Sequence, residues 1–260
     1  MKIHPIDNSR VSNPHIREFL ENFRPFEIKG IQHSVKVTKH DVIAGRIIVG
    51  INKGNIYAND IFKIVKKYNF PEHLLKRLGE EWAQAYMVGL SLEADGDKLR
   101  YKVYIDKGAK NASRSTHKSD ALFAVKWNPK SPSEYVIAKY SLIKKVTEEA
   151  IKAEVKKSGF DLYADFIPKS IERKKLTLLY TTEDENSKRK SFDIRFNDIY
   201  LDDLTKDVLN LTDVDLYDTL RHLRLFPIRN FSGGVSDSGE KFFNLYFMVY
   251  ENNELQTYRM

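Results

Sequence analysis

Five times along this chain, a stretch alternating apolar and polar residues is followed by a short polar break and a second such stretch. Alternation at period 2 sends successive side chains to opposite faces, so each pair reads as a β-hairpin. The first joins IQHSVKV to IAGRIIVGI around Lys39 to Asp41, and the second joins AYMVGLSLE to LRYKVYI at Asp95-Gly96-Asp97. ALFAVKW and EYVIAKYSLI form the third, turning through Asn128-Pro129-Lys130-Ser131-Pro132. LTLLYTT pairs with KSFDIRF across the charged run from Glu183 to Lys190, and RNFSGGV with FFNLYFMVY near Asp237-Ser238-Gly239.

Between most hairpins the period changes to that of a helix. Asn59 stands where it would cap a segment carrying Ile61, Phe62, Ile64, Val65 and Tyr68, and Leu74, Leu75, Leu78 and Trp82 follow. Val146, Ala150, Ile151 and Val155 repeat the spacing after the third hairpin; Leu201, Leu204, Val208 and then Leu216, Leu220, Leu223 do so after the fourth. Only the gap between the second and third hairpins is too short for a helix pair, and its sequence, KGAKNASRSTHKS, reads as a polar, basic loop. The order predicts an α+β fold, a ten-stranded antiparallel β-barrel wrapped by helices. Closure removes exposed sheet edges, and the helices cover the apolar outer face. No Pro/Gly/Ser-rich linker interrupts it, so residues 1–260 read as one domain.

Composition excludes several classes. Hydrophobic residues make up 42% and charged residues 30%, the balance of a chain that buries a core without covalent staples. There is no cysteine, which rules out disulfides, thiolate metal sites and a cysteine nucleophile. The start, MKIHPIDNSR, has no apolar run and no stretch nears 18 apolar residues, so a cytoplasmic protein is expected. A net charge of +7 suits nucleic acid, an anionic surface or a phosphorylated small molecule. Where the cations fall decides among these.

Alternation assigns the faces. Gln32, Ser34 and Lys36 oppose Val35 and Val37; Arg46 opposes Ile47, Val49 and Ile51; Arg100, Lys102 and Tyr104 oppose Tyr101, Val103 and Ile105. Lys126 opposes Phe123 and Val125, and Tyr135, Lys139 and Ser141 oppose Val136, Ala138 and Leu142. Asp193 and Arg195 oppose Phe192 and Ile194; Asn244, Tyr246, Met248 and Tyr250 oppose Phe243, Leu245, Phe247 and Val249. In a closed barrel the polar face is the lumen, and Lys36, Arg46, Arg100, Lys102, Lys126, Lys139 and Arg195 converge there among tyrosines. At an effective dielectric of about 20, two like charges about 4 Å apart repel by roughly 4 kcal/mol, so such a lumen calls for an anion, and a diphosphate would suit it. On an open sheet the same residues form an ordinary solvated face.

The arrangement resembles the ABBA-fold (prenyltransferase-barrel) aromatic prenyltransferases, built from repeated αββα units, and within them it is most similar to the cyanobactin peptide prenyltransferases. The likeness runs over residues 17–250 in pattern. In detail it rests on SVKVTKHDVIAGR from Ser34 to Arg46, the Lys102/Tyr104 pair, and FNLYF from Phe243 to Phe247. The resemblance implies transfer of a dimethylallyl or geranyl group from its diphosphate to an aromatic or peptide acceptor, as in natural-product biosynthesis, with Mg²⁺ accompanying the diphosphate. In that chemistry fixed Arg and Lys stabilise the leaving group, tyrosine faces stabilise the allyl cation, and the closed barrel excludes water. Diphosphate contact is expected from Arg46, Lys102, Lys139 and Arg195, and cation shielding from Tyr104 and Tyr246.

One departure bears on catalysis. Family members place a glutamate on the first strand as the base, and the matching position here is Gln32, which cannot take a proton. His33 faces outward by parity. Glu93 and Asp193 have lumen parity, so the candidate catalytic set is Gln32, Glu93 and Asp193, with Gln32 orienting the acceptor. The loop from Lys107 to Asp120 is placed to gate or recognise that acceptor.

Other signals have simpler explanations. Asp202-Asp203-x-x-x-Asp207 has the look of an aspartate-rich Mg–diphosphate motif but stands at a helix start, where capping explains it. Ser232-Gly233-Gly234 lacks a Lys-Ser/Thr ending and leads toward a strand, and no histidine pair, including His117 or His222, has metal spacing. Two other readings stand beside the first: a small-phenol or indole prenyltransferase of the same fold, and a non-catalytic basic protein binding RNA or another polyanion on an open sheet. The latter lacks the glycine/aromatic pattern of RNA-binding sheets.

Overall fold

The structure, a computed structural model, describes residues 12–108, 118–143, 147–159, 176–187, 189–204, 211–251 and 254–255. Each alternating pair forms its hairpin. The strands are β1 (Gly30–Val37), β2 (Val42–Asn52), β3 (Met87–Asp95), β4 (Lys98–Asp106), β5 (Lys118–Asn128), β6 (Ser131–Ile143), β7 (Leu176–Asp184), β8 (Lys190–Ile199), β9 (Ile228–Val235) and β10 (Lys241–Glu251). Every neighbour is antiparallel, and β1 pairs with β10 from Val37↔Phe243 to Gly30↔Glu251, which closes the barrel. A two-residue β11 (Glu254–Leu255) adds to the end of β10. Gly96 and Gly239 sit at hairpin turns with φ of +54° and +83°, backbone that a Cβ would strain.

The apolar face of each strand points outward, under the helices. Helices α1 (Pro14–Glu21), α2 (Ala58–Lys67) and α3 (Leu75–Ala83) bury Phe19, Leu20, Ile61, Val65 and Leu78 against Val49, Leu90, Val103 and Trp127. Each such side chain contributes about 1.5–3 kcal/mol when fully buried. The Trp127 indole N–H donates to the Tyr68 carbonyl at 2.7 Å, and the Tyr68 and Tyr101 rings stack at 4.1 Å. A second outer cluster packs Leu201, Leu216, Leu220 and Leu223 on Phe192, Phe231, Phe243 and Leu245.

Helical detail differs from expectation in three places. Helix α2 begins at Ala58, one residue before Asn59, and the Asp60 carboxylate accepts the Tyr57 N–H, so Asn59 is not its cap. After β8 the described residues form 3-10 turns at Leu201–Asp203 and Arg221–Leu223 and a four-residue helix α5 (Leu216–Thr219), shorter than a helix pair. Asp203 accepts the Tyr200 N–H and Asp202 pairs with Arg224, which accounts for two of the three aspartates; Asp207 lies outside the described residues. Helix α4 (Glu148–Lys157) follows β6, while Val146 and Val208 lie outside the described residues.

Strand β6 turns a different face inward from the one expected, and β10 departs from expectation at one residue. In β6 the lumen receives Val136, Ala138 and Tyr140, while Tyr135, Ile137 and Lys139 point outward. Cross-strand partners share a face, and β6 takes its faces from β5 through Lys126↔Val136, Ala124↔Ala138 and Phe123↔Lys139. In β10 a bulge opposite Ile31/Gln32 skips Val249, so Tyr250 joins the outer core instead of the lumen.

Candidate active site

The inward side chains divide the lumen into two connected chambers. Ile48, Tyr104, Tyr140, Asp193 and Tyr246 line both and form the boundary. Toward the hairpin turns lies a cation chamber containing Arg46, Lys102, Lys126 and Arg189, with Arg100 at its edge. Toward the opposite end lies a tyrosine chamber of about 190 Å³, lined further by Tyr180, Met87, Met248, Gln32 and Arg195.

The cation chamber holds a surplus of positive charge. Glu93 accepts from Arg46 Nε at 3.0 Å and from Lys126 Nζ at 3.2 Å. Burial works to raise the Glu93 carboxyl, but Lys126 and Arg46 outweigh it and hold it at about 2. Arg46 also donates to Asn244 Oδ1 at 2.5 Å; Asn244 in turn donates to Ser232 Oγ at 2.8 Å. Lys102 donates to the Tyr140 hydroxyl at 2.7 Å and lies 4.3 Å from the Tyr104 ring centroid. Burial, with Arg189 and Arg46 nearby, pulls Lys102 down to about 7. Burial likewise lowers Lys126 to about 8, although Glu93 opposes the change. Arg189 packs on the Phe242 ring at 4.5 Å, and its Nε, like Ser34 Oγ, is buried without a hydrogen-bond partner. Donors left open around clustered cations suit an anion with many acceptor oxygens.

At the boundary, Asp193 accepts from Asn230 Nδ2 at 3.3 Å. Burial raises it to about 7 against the pull of Arg195 and Lys102. Burial also raises Tyr104 to about 12, and Tyr140 and Tyr246 move the same way, so all three phenols stay protonated at neutral pH.

The expected site residues therefore separate. Arg46, Lys102 and Glu93 share the cation chamber; Gln32 and Arg195 line the tyrosine chamber; Asp193, Tyr104 and Tyr246 line both. Lys139 is outside the barrel, paired at 2.9 Å with Glu185, which Arg77 also grips with two hydrogen bonds. It faces outward, not into the lumen as its parity predicts, because it sits opposite the outward Phe123 of β5. Arg189 and Tyr140 are the residues that alternation overlooked. Arg189 sits just before β8 in a charged run that reads as a turn, and Tyr140 shares the face read as apolar. His33 faces outward, bonded to the Ala44 carbonyl. Most of the Lys107–Asp120 loop lies outside the described residues.

Among the described residues no three His, Asp or Glu side chains gather to hold a metal ion. Glu93 is engaged by two cations and Asp193 by Asn230, so these residues do not fit a protein-held Mg²⁺. No described helix is long and apolar enough to cross a membrane. The closed sheet turns its cations inward, which leaves the open-sheet RNA-binding reading without its platform.

No protein-family profile matches the chain, and no curated protein matches it. Solved structures do. The prenyltransferase PriB, in complex with L-tryptophan and dimethylallyl thiolodiphosphate, superposes with a TM-score of 0.60 at 10% identity, covering 88% of this chain and 82% of its own. NotF in complex with brevianamide F and the same thiolodiphosphate gives 0.57 at 10% identity, over 89% of this chain and 81% of NotF. AnaPT from Neosartorya fischeri gives 0.57 at 8% identity, over 88% and 80%. At such identities it is the fold that is shared, and the narrower likeness to peptide enzymes rests on the three sequence stretches alone. The chain has the ten-stranded fold of the aromatic prenyltransferase barrels.

Proposed function

We propose that this chain transfers an allylic isoprenoid group from its diphosphate to an aromatic acceptor, free or carried by a peptide. One observation carries the reading: a single closed lumen is split into a cation-rich half and a tyrosine-rich half that meet at Tyr104, Tyr140, Tyr246 and Asp193. The substrate and acceptor bound by PriB and NotF are of these two kinds, which supports it.

In this mechanism the diphosphate lies among Arg46, Lys102, Lys126 and Arg189. The allylic C–O bond breaks with both electrons going to oxygen, and the negative charge that grows on the leaving group meets cations already in position. The allyl cation forms at the boundary, where the faces of Tyr104, Tyr140 and Tyr246 stabilise it. The acceptor, oriented in the tyrosine chamber by Gln32, bonds to the cation. Its displaced proton goes to Asp193, which is half ionised near neutral pH. Glu93, ion-paired and strongly acidic, has the wrong affinity for that proton.

The direct test incubates the protein with dimethylallyl or geranyl diphosphate and tryptophan, tyrosine, small phenols and aromatic peptides, reading prenylated product by mass. Wild type should yield product, and Asp193→Asn should lose roughly 10²–10⁴-fold in kcat while still binding diphosphate. Full activity in Asp193→Asn would remove the base, and the absence of product from every donor–acceptor pair would remove the transfer reading.

A further inference from the structure

The five hairpins do not end at one level. β6 pairs with β5 as far as Asn128↔Ser131, yet with β7 only between Ala138 and Ile143. The Glu185 N–H donates to the Ile137 carbonyl, the Ile137 N–H donates to Asn186 Oδ1, and there the β7–β8 hairpin turns back. Asn186 Nδ2 also donates to the Tyr135 carbonyl at 2.6 Å, so Ser131–Glu134 of β6 run on past that turn with no strand beside them on that side among the described residues. At about 3.3 Å per residue this leaves a notch about 13 Å long in the barrel rim.

Behind the notch lies a cavity of about 320 Å³. Ser133, Glu134 and Asp237 form its outer lip. Inward it is lined by Arg100, Lys102, Lys126, Tyr140, Thr182 and Arg189, each of which also lines the cation chamber, and by Asp184, which does not. The tyrosine chamber reaches the other end of the barrel, where Lys29, Asp106 and Glu251 stand at or beside strand ends away from the hairpin turns.

A diphosphate leaving the cation chamber has two directions open to it. One runs past three phenols and through the chamber assigned to the acceptor, where two lining cations, Arg195 and Lys29, stand among Asp106, Asp193 and Glu251. Polar groups unpaired during such a passage are costly. The other runs outward along Lys102, Lys126, Arg189, Thr182 and Arg100 to Ser133; it carries four cations beside the carboxylates of Asp184, Glu134 and Asp237, against two on the first route. We propose that the notch beside the β7–β8 turn is the door by which inorganic diphosphate leaves, making the lumen a passage open at both ends. The proposal rests on the reading of the cation chamber as the diphosphate site. It separates the two traffics: the diphosphate can depart while the prenylated acceptor still fills the tyrosine chamber.

The chain has no cysteine, so a single introduced thiol can carry a bulky, reducible label at either end. Ser133→Cys places it on the exposed lip of the notch, and Lys29→Cys at the opposite mouth. Association and dissociation of radiolabelled inorganic diphosphate are then measured with each label on and after its reduction. The label at position 133 should slow both rates by the same factor, roughly tenfold or more, and leave Kd unchanged, with reduction restoring both. The label at position 29 should change neither rate by more than about twofold. Unaltered rates with the label at 133, or slowing by the label at 29 alone, would overturn the door. So would a weaker Kd at 133 without slower dissociation, because the label would then be disturbing the site and not the path. If the unlabelled protein binds no diphosphate, the donor-site reading itself fails and the door goes with it.

Discussion

The two halves of the lumen are walled by the same strands, yet burial acts on them in opposite ways. In the cation chamber one carboxylate, Glu93, is ion-paired with Arg46 and Lys126, while Lys102 and Arg189 are drawn to Asp184 electrostatically without a direct ion pair in the described contacts. There the lysines are driven toward neutrality, Lys102 to about 7 and Lys126 to about 8. In the tyrosine chamber and at its boundary the acids move instead: Asp193 rises to about 7 and Asp106 rises as well, each mainly through burial. The difference teaches that one half is incomplete without an anion, whereas the other is close to neutral and suited to an apolar, planar guest.

The largest expected break of this contrast is Arg46→Met. It strips Glu93 of one partner and leaves a buried carboxylate leaning on Lys126 alone, which should cost about 3–5 kcal/mol of stability and abolish diphosphate binding. Chemical denaturation and diphosphate titration would check both. Lys102→Met should split stability from function. Removing a buried cation in favour of an apolar chain of similar length is expected to raise Tm, while diphosphate affinity falls by about 1.5–3 kcal/mol, the worth of a charged hydrogen bond.

The pH profile sharpens the comparison further. Asp193 must be ionised to accept a proton and Lys102 charged to hold the donor, so kcat/KM should be a narrow bell with both limbs near 7. Lys102→Arg keeps the charge and should move the alkaline limb up toward the about 8 of Lys126. Stability without ligand follows the opposite logic. Asp193, raised from 3.8, stabilises the fold at low pH and loses that contribution as pH climbs to about 7; Lys102, lowered from 10.5, penalises the fold at neutral pH and is relieved as pH rises toward 10.5. A shallow stability minimum near pH 7 should appear in denaturant titrations and vanish with diphosphate bound. The smallest effect belongs to Lys139→Ala. Its exposed pair with Glu185 should be worth about 0–1 kcal/mol, with no change in diphosphate affinity.

How much of this was legible in the sequence follows the same division. Alternation gave the five hairpins, the outward apolar face and the inward position of Arg46, Lys102, Lys126, Tyr104, Asp193 and Tyr246, because a strict period of 2 leaves no freedom along an undistorted strand. It failed where that condition failed. In β6 both faces carry apolar residues, and only pairing with β5 decides between Ile137 and Val136. In β10 a single bulge reverses Tyr250, and no local pattern announces it. Arg189 reaches the chamber from beside a turn, where periodicity has nothing to say. The split of the lumen into two chambers was equally hidden, because alternation tells which side a residue faces but not its height along the barrel; Arg195 was grouped with Arg46 for that reason.

The central claim is that the cation chamber awaits a diphosphate whose allylic tail lies toward the tyrosines. The most direct measurement is thermal unfolding of the wild-type protein with inorganic diphosphate and with dimethylallyl diphosphate, each at a hundred times its Kd. Either ligand should then add about 2.7 kcal/mol, a rise of roughly 5–10 °C, and at equal subsaturating concentration the allylic ligand should give the larger shift. No shift with either, or an equal shift with both at every concentration, would contradict the claim.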